Sequence, residues 1–282
     1  MNKIGIITFE KYEGRRNIGS SRIRGRWLVD KWENAELFKQ GEKYDVVIYQ
    51  KAYWVEHARL FKGIKILDLC DPDWLHWGYR TKEMIENVDA ITTSTEALAE
   101  GLRQFTDKPV ICIPDRINQD YFRKKKQHAG RATYVGWFGY SSNFEMLQPV
   151  ITFLIKNSLN LIVVSDGTFS PQSNNVGKIK VLNKKWSETT VHDDLLTCDF
   201  LINPQAERGK WKYKSNNKTL TGWALGLPVA SNVSDLTRFL SQEEREKEAK
   251  TRLNEINEKW DISRSIEEYT ALISELEKTK KV

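Results

Sequence analysis

The sequence has few cysteines and no long apolar run. Its three cysteines, Cys70, Cys112 and Cys198, are widely spaced, and each lies in or beside a short apolar segment. This pattern excludes a disulfide framework and is typical of reduced, buried thiols. No run approaches the roughly 20 apolar residues of a membrane span, and the first residues show no export signal. We therefore expect a cytoplasmic protein without a transmembrane segment.

Several well-known site motifs are also missing. The sequence contains no Gly-x-Gly-x-x-Gly, no Gly-Lys-Ser/Thr of a Walker loop and no Gly-x-Ser-x-Gly elbow. A classical dinucleotide site, a P-loop and a Ser-His-Asp hydrolase are therefore unsupported. The four histidines are scattered and lack metal-ligand spacing with the cysteines, so we expect no metal site among them. The net charge of +6 fits anionic ligands, nucleic acid or peripheral contact with an anionic membrane equally well.

Ten short apolar runs alternate with polar, amphipathic stretches. Most runs are continuous rather than alternating, as expected of strands buried on both faces of a parallel sheet. Their order predicts right-handed β-α-β units. The predicted strands are residues 4–9, 45–49, 64–69, 90–94, 110–114, 134–138, 159–165, 178–182, 199–204 and 228–231.

A polar, basic stretch divides these runs into two sets of five. Residues 123–131 have no apolar periodicity, and a new series of strand-helix repeats begins just after them. A solvated surface loop has the same composition, but the new series favours a domain boundary. We predict domains over residues 1–122 and 131–258. The segment 259–282 carries an apolar helical face, so we expect it to return to the N-terminal domain.

Residues 214–230 form the most informative segment. They follow a predicted strand and contain two lysines, two asparagines, an apolar helix and a Gly-x-Pro stop. A helix start at the carboxyl edge of a sheet attracts anions through its unpaired N–H groups and its dipole. Lys214 and Lys218 lie four residues apart and would repel each other on one helical face unless an anion lay between them. The spacing therefore predicts a diphosphate site.

Two clusters follow strands in the first half. Residues 15–25 contain a Gly-Ser-Ser turn and several arginines, so Ser21, Arg22 and Arg24 are candidates to contact phosphate or carboxylate groups. A basic, solvated turn explains the same residues. The second cluster spans residues 68–77.

In that second cluster, Asp71, Asp73 and His76 lie beside two tryptophans after the predicted strand 64–69. Titratable groups next to indole rings suit proton transfer or sugar binding. The Asp-Pro-Asp sequence also has the spacing of carboxylates that share a divalent cation, but Asp before Pro is an ordinary turn device. Asp71 and His76 are our candidates for catalytic residues.

A third cluster follows the predicted strand 134–138. Gly139 would let the chain turn sharply over a ligand, and Ser141, Ser142 or Asn143 would cap the next helix. A plain strand-to-helix turn is equally consistent with these residues.

Together, these segments resemble the donor domain of GT-B glycosyltransferases, the retaining nucleotide-sugar class. The resemblance implies an α/β chain of two Rossmann-like domains, each with a mainly parallel sheet of about five strands. It also implies a cleft between the domains and C-terminal helices that pack back on the N-terminal domain. The matching residues are 135–139, 164–167, 198–204 and 214–230, with weaker matches at 91–94 and 113–118.

The resemblance assigns roles to the site residues. Asn217 and Lys218 would bind the donor diphosphate, and Lys214 would be a second phosphate contact. Thr221 replaces the Glu that usually holds the ribose, and its hydroxyl would make a weaker contact. The residues that would line the cleft beneath the phosphates are Gly139, Ser141 and Asn143.

The resemblance implies transfer of a sugar from a nucleotide-diphosphate sugar to an acceptor held by the N-terminal domain. It further implies retention of configuration and no metal or other cofactor, because cationic side chains and a helix end offset the leaving-group charge. The leaving phosphate could itself take the acceptor proton, so Asp71 and His76 need not act as bases. The acceptor could be a saccharide, a lipid-linked glycan, a protein or a nucleic acid.

Two other functions remain open at this point. A sugar-nucleotide epimerase shares the fold, and the Thr221 substitution is compatible with it. A nucleic-acid-binding or nucleic-acid-modifying protein would explain the basic balance and the many aromatic residues. The 38 acidic residues interspersed among 44 basic ones weaken this second alternative.

Overall fold

The computed structural model describes residues 2–14, 17–76, 78–172, 178–204 and 209–280, except for the side chains of His76, Tyr79 and Lys210. The chain divides into two compact units. Unit 1 comprises Met1–Asn118, Arg208–Asn216 and Trp260–Val282, and unit 2 comprises Gln119–Glu207 and Asn217–Lys259. No helix in the described ranges is long and apolar enough to cross a membrane.

Unit 1 contains a parallel sheet of six strands in the order β2-β1-β3-β4-β5-β6. The strands β1, β3 and β5 are buried along their whole length, as their continuous apolar sequences predict. Five strands were expected, and β2 is the additional one. The strands are β1 (Ile4–Thr8), β2 (Ala35–Leu37), β3 (Val46–Gln50), β4 (Ile64–Leu69), β5 (Ala90–Thr93) and β6 (Val110–Cys112).

The helices of unit 1 connect these strands, as a β-α-β arrangement requires. A π-helical turn, Arg22–Arg26, joins α2 to α3, and a 3-10 turn covers Gly209–Tyr213. The helices are α1 (Phe9–Glu13), α2 (Gly19–Ser21), α3 (Trp27–Val29), α4 (Val55–Leu60), α5 (Asp73–His76), α6 (Gly78–Glu86) and α7 (Glu96–Arg103), with α13 (Ile262–Lys280) at the end of the chain.

Unit 2 contains a parallel sheet of five strands in the order β11-β10-β7-β8-β9. The strand β9 lies three residues later than the sequence predicted. The strands are β7 (Tyr134–Phe138), β8 (Asn160–Ser165), β9 (Val181–Lys185), β10 (Phe200–Ile202) and β11 (Val229–Ala230). The helices are α8 (Gln148–Lys156), α9 (Val191–Leu196), α10 (Asn217–Ala224), α11 (Val233–Arg238) and α12 (Gln242–Lys259), with 3-10 turns at Gln119–Tyr121 and Ser141–Leu147.

The α/β class with two mainly parallel sheets is thus confirmed. Each sheet also has a point where the connections leave in opposite directions, which is where open α/β sheets form a crevice outside the strand ends. In unit 1 this switch point lies between β1 and β3, and in unit 2 it lies between β7 and β10.

The final helix belongs to unit 1, as its apolar face led us to expect. Tyr269 of α13 donates a hydrogen bond to Asp68 Oδ1 (3.0 Å), and Arg116 forms a bidentate ion pair with Glu268 (2.6 and 2.7 Å). A backbone bridge between Ile117 and Asp261 precedes the helix. A buried hydrogen bond and a half-buried ion pair therefore hold α13 against the sheet of unit 1.

Candidate functional site

Lys218 lies at the switch point of unit 2, in the first turn of α10. Its Nζ is 4.6 Å from the centroid of the Trp137 ring, which β7 contributes. The chain just after β7 approaches the same ammonium, because a Cβ on Gly139 would lie 2.8 Å from it. The φ of Gly139 is 152°, a conformation that other residues rarely adopt. The Lys218 ammonium is thus packed against the carboxyl end of β7.

The start of α10 offers further polar groups beside Lys218. Asn203, just after β10, donates a hydrogen bond from Nδ2 to Thr219 Oγ1 (3.1 Å), which holds the first turn against the sheet edge. The Nδ2 of Asn217 is buried and has no hydrogen-bond partner among the described residues. Because helix N-termini attract negative charge, this edge has the composition of an anion site.

The loops after β7 and β8 are joined by hydrogen bonds. The backbone N–H of Ser141 donates to Asp166 Oδ1 (2.7 Å), and the Ser165 hydroxyl donates to the same oxygen (3.1 Å). The Ser141 N–H bond is the main reason why the pKa of Asp166 is lowered. Asn143 follows within the 3-10 turn. Two of the predicted donor contacts thus lie in a loop that begins at Gly139.

Thr221 lies one turn further into α10, where its side chain is buried, with the residue only 7% exposed. The structure therefore places this predicted ribose contact inside unit 2 rather than on its surface. Its role in ribose binding stays a prediction.

Lys214 does not share a helical face with Lys218. The helix α10 begins at Asn217, so Lys214 precedes it and belongs to the segment assigned to unit 1. Its Nζ lies 3.3 Å from Asp71 Oδ1. The prediction that Lys214 and Lys218 share one helical face is therefore wrong. Lys214 forms an ion pair with a carboxylate instead.

Unit 1 carries a carboxylate cluster after β4, at the carboxyl edge of its sheet. Lys51, which directly follows β3, places its Nζ 2.7 Å from Asp71 Oδ2 and 3.4 Å from Asp73 Oδ2. The hydroxyl of Tyr53 donates a hydrogen bond to Asp73. We call Lys51, Tyr53, Asp71 and Asp73 the carboxylate cluster.

The two carboxylates of this cluster have opposite pKa shifts. Burial raises the pKa of Asp71, but Lys51 and Lys214 outweigh it and hold that pKa below its usual range. Burial also raises the pKa of Asp73, and Lys51 and Tyr53 offset it only in part. Asp71 therefore stays ionised to lower pH than Asp73. Pairs of titratable groups whose environments separate their pKa values mark acid and base roles in enzymes.

The position that a shared cation would take between Asp71 and Asp73 is held by the Lys51 ammonium. Among residues 2–14, 17–76, 78–172, 178–204 and 209–280, no group of three or more His, Cys, Asp and Glu side chains has metal-binding geometry. The carboxylate cluster is thus built around an internal cation.

The candidates from residues 15–25 have structural partners within unit 1. Arg24 is buried and forms a bidentate pair with Asp68 (2.6 and 2.8 Å) and a contact with Asp115 (2.9 Å). The Ser21 hydroxyl is buried and donates to Gln50 Oε1 (3.0 Å). Arg22 lies over the Trp27 ring, 5.9 Å from its centroid.

His76, the other candidate catalytic residue, ends the helix α5, but its side chain lies outside the described part of the structure. Arg15 and Arg16 of the basic cluster also lie outside the described residues.

Sequence reasoning missed three residues of these sites, Lys51, Tyr53 and Trp137. Lys51 is a lone lysine directly after the buried strand β3, at a strand end where ligands bind, and this position was the available signal. Trp137 is an interior residue of β7, so nothing in its sequence context distinguishes it from a core tryptophan.

No protein-family model matches this sequence, and no curated protein matches it significantly. Solved structures do match in fold. T4 phage BGT in complex with UDP-glucose is 11% identical, with a TM-score of 0.56 over 99% of this chain and 98% of that one. A glycosyltransferase from Rickettsia africae is 8% identical, with a TM-score of 0.59 over 97% of each chain.

A mutant of S. aureus TarM, in complex with Fondaparinux, alpha-GlcNAc-glycerol and UDP, is 13% identical, with a TM-score of 0.59. That match covers 81% of this chain and 55% of TarM, so the chain spans about half the length of TarM. The chain has the GT-B fold. At identities of 8–13% this similarity shows the fold alone.

Proposed function

We propose that this protein is a glycosyltransferase that moves a sugar from a nucleotide-diphosphate sugar to an acceptor. The observation that carries the proposal is the position of Lys218, at the helix start beside the switch point of unit 2. A cation, a helix N-terminus and the unpartnered amide of Asn217 together suit a diphosphate. Two of the solved structures with this fold contain UDP or UDP-glucose, which makes UDP the first nucleotide to test.

In this function, Lys218 and the α10 amides stabilise the diphosphate as it departs. Charge develops on that group in the transition state, and fixed donors there lower the barrier without reorganisation. We further propose that Gly139, Ser141, Asn143 and Thr221 contact the donor, that the reaction requires no metal, and that the acceptor binds at the carboxylate cluster of unit 1.

Whether the anomeric configuration is retained or inverted is linked to the group that takes the proton of the acceptor hydroxyl. Retention, which the resemblance implies, is compatible with proton transfer to the leaving phosphate. An inverting displacement requires a base, and Asp71 is the carboxylate of the cluster whose pKa is lowered. The anomeric coupling constant of the first-formed product, measured by proton NMR, distinguishes the two courses.

The binding test uses UDP, UDP-glucose and the corresponding GDP, ADP and dTDP sugars in calorimetric titrations. We expect Lys218→Ala to weaken UDP-sugar binding by about tenfold or more, because a charge-assisted contact contributes roughly 1.5–3 kcal/mol. Lys250→Ala, which removes an exposed lysine from α12 of the same unit, is the matched control. Equal affinity in both variants would contradict the role of Lys218.

Product analysis separates the alternatives. A sugar-nucleotide epimerase would return an altered sugar nucleotide without an acceptor, whereas a transferase releases free UDP when an acceptor is supplied. A protein that only binds nucleic acid would show steeply salt-dependent binding and no sugar-nucleotide affinity. Binding of no nucleotide sugar with or without EDTA would overturn the proposed function.

A further inference from the structure

Lys51 has an unusual backbone conformation at the carboxyl edge of unit 1. Its φ is 50°, in the left-handed region, although it is not glycine. Such residues are uncommon, cost free energy and persist where surrounding contacts determine them. The Lys51 N–H donates to Asp68 O (2.9 Å), which fixes this turn to the end of β4. The strain therefore lies at a strand end next to the switch point.

With this left-handed backbone conformation, the Lys51 side chain lies in the carboxylate cluster. Its side chain is only 12% exposed, and its ammonium contacts Asp71 and Asp73 at 2.7 and 3.4 Å. The aromatic ring of Phe9, just after β1, lies 5.1 Å from the same Nζ. The Lys51 ammonium, largely shielded from solvent, is therefore shared by two carboxylates, and the Phe9 ring lies over it.

The two carboxylates differ in what else they contact. Asp73 is buried and receives the hydrogen bond from Tyr53, so it points into unit 1. The Asp71 side chain is 36% exposed, and its second oxygen faces Lys214. Asp71 is thus the member of the pair that a ligand can reach, and Asp73 anchors the Lys51 ammonium from the inside.

We propose that Lys51 is a positioning residue for the acceptor side of the reaction: it holds Asp71 ionised and oriented to take the proton of an acceptor hydroxyl. The inference rests on the proposed function, taken in its inverting course. In that step the acceptor O–H proton moves to Asp71, and the acceptor oxygen bonds to the anomeric carbon. The bond from that carbon to the diphosphate breaks, and its electron pair leaves with the diphosphate.

The charged and titratable groups that face Asp71 come from three segments. Lys51 follows β3 and Lys214 belongs to the segment 209–216. Cys70 lies in the same loop as Asp71, and Asp73 begins the helix α5 just after it. Lys51 is the largest of the favourable charges, ahead of Lys214. Removing Lys51 should therefore affect Asp71 more than removing Lys214 does.

The first readout is the titration of the Asp71 carboxyl, followed by carbon-13 NMR and assigned with Asp71→Asn. We expect Lys51→Met to raise the pKa of Asp71 by about one unit or more, because an opposite charge within hydrogen-bond distance lowers a carboxyl pKa by roughly 1–3 units. Lys51→Arg should restore the low value, and Lys214→Met should produce a smaller shift. An unchanged Asp71 titration in Lys51→Met overturns the inference.

The second readout is the pH profile of sugar transfer. In Lys51→Met the acidic limb of kcat should move to higher pH by the same interval as the Asp71 titration, while KM for the donor stays unchanged. An equal loss of kcat at every pH would show a merely structural role and overturn the inference. Absence of transfer by the unaltered protein overturns the proposed function instead, and the NMR titration still decides whether Lys51 controls Asp71.

Lys51→Met leaves the buried Asp73 without its cation, which destabilises the fold if Asp73 stays charged. Lys51→Met/Asp73→Asn removes both members of that pair, and it keeps the test available if the single variant does not fold. The Asp71 shift is expected in this double variant as well. Asp73→Asn alone is its control and should not raise the pKa of Asp71, because it removes a neighbouring negative charge.

Discussion

The residue at position 139 has to be glycine for two reasons, its backbone conformation and its close contact with Lys218. Its φ of 152° disfavours any side chain, and an added Cβ would lie 2.8 Å from Lys218 Nζ and 3.1 Å from the Trp137 ring. We expect Gly139→Ala to displace Lys218 and to weaken UDP-sugar binding at least as much as Lys218→Ala does, about tenfold or more. Calorimetric titration with UDP-glucose measures the change.

The control for this prediction is Gly130→Ala in the same unit. Gly130 also has a positive φ, 57°, but no atom lies within 4 Å of an added Cβ. It therefore reproduces the backbone strain without the contact with Lys218. If Gly130→Ala weakened the binding of UDP-glucose equally, the effect would come from general strain rather than from Lys218.

Arg24 shows why residue types alone did not separate ligand contacts from structural ones. The sequence places Arg24 in a basic cluster, which is typical of phosphate binding. In unit 1 its guanidinium instead pairs with Asp68 and Asp115, which lie 44 and 91 residues away. The partner of a charged side chain depends on the tertiary arrangement of distant strands, which short-range spacing does not contain.

At the scale of elements, strands were predictable where burial is complete. The strands β1, β3 and β5 are buried along their whole length, so their apolar runs mark them in the sequence. The edge strand β2 has three half-buried residues, Ala35–Leu37, and no apolar run. The start of α10 was misplaced because the chain leaves unit 1 between Lys214 and Asn217, and no local signal marks that change.

The helix α13 is anchored in unit 1 by polar contacts as well as by its apolar face. The Tyr269 hydroxyl is buried, donates to Asp68 Oδ1 (3.0 Å) and lies 3.2 Å from Thr92 Oγ1. We expect Tyr269→Phe to lower the free energy of unfolding by about 1.5–3 kcal/mol, since a buried carboxylate loses a donor. Urea unfolding followed by fluorescence measures it.

The matched control for α13 is Tyr140→Phe, which removes a hydroxyl from a tyrosine that is 51% exposed. Its effect should stay within about 0.5 kcal/mol, as for most surface substitutions. An unfolding free energy that is equal in Tyr269→Phe and Tyr140→Phe would show that the Asp68 contact contributes nothing to the docking of α13.

At the scale of the whole molecule, each unit has its own hydrophobic core but neither is one continuous stretch of chain. After the chain has entered unit 2, it returns to unit 1 twice, at residues 208–216 and at residues 260–282. A backbone bridge between Ile117 and Asp261 joins the first segment of unit 1 to its last. Apolar periodicity reveals elements in chain order, so it indicated two sets of strands but could not reveal that Lys214 returns to unit 1.

Each unit also contains a histidine whose pKa is lowered, which links stability to pH. Burial lowers the pKa of His57 in unit 1, where the ring stacks on Trp54 and its Nδ1 lies 2.8 Å from the Tyr49 hydroxyl. Burial and nearby positive charges, among them Arg245, lower the pKa of His128 in unit 2, against the opposing effect of its contact with the Gly226 carbonyl.

Since both folded-state pKa values lie below the unfolded value of 6.5, the unfolded chain binds more protons as the pH falls. The stabilisation is therefore complete well above pH 6.5, begins to be lost as the pH approaches the unfolded value of 6.5, and is fully lost below the folded values. We expect the urea midpoint to decrease between about pH 7.5 and 5.5, and to decrease less in His57→Phe. Depressed carboxyl pKa values act only at lower pH, near and below about 4. A midpoint with the same pH dependence in His57→Phe as in the unaltered protein would contradict the contribution of His57.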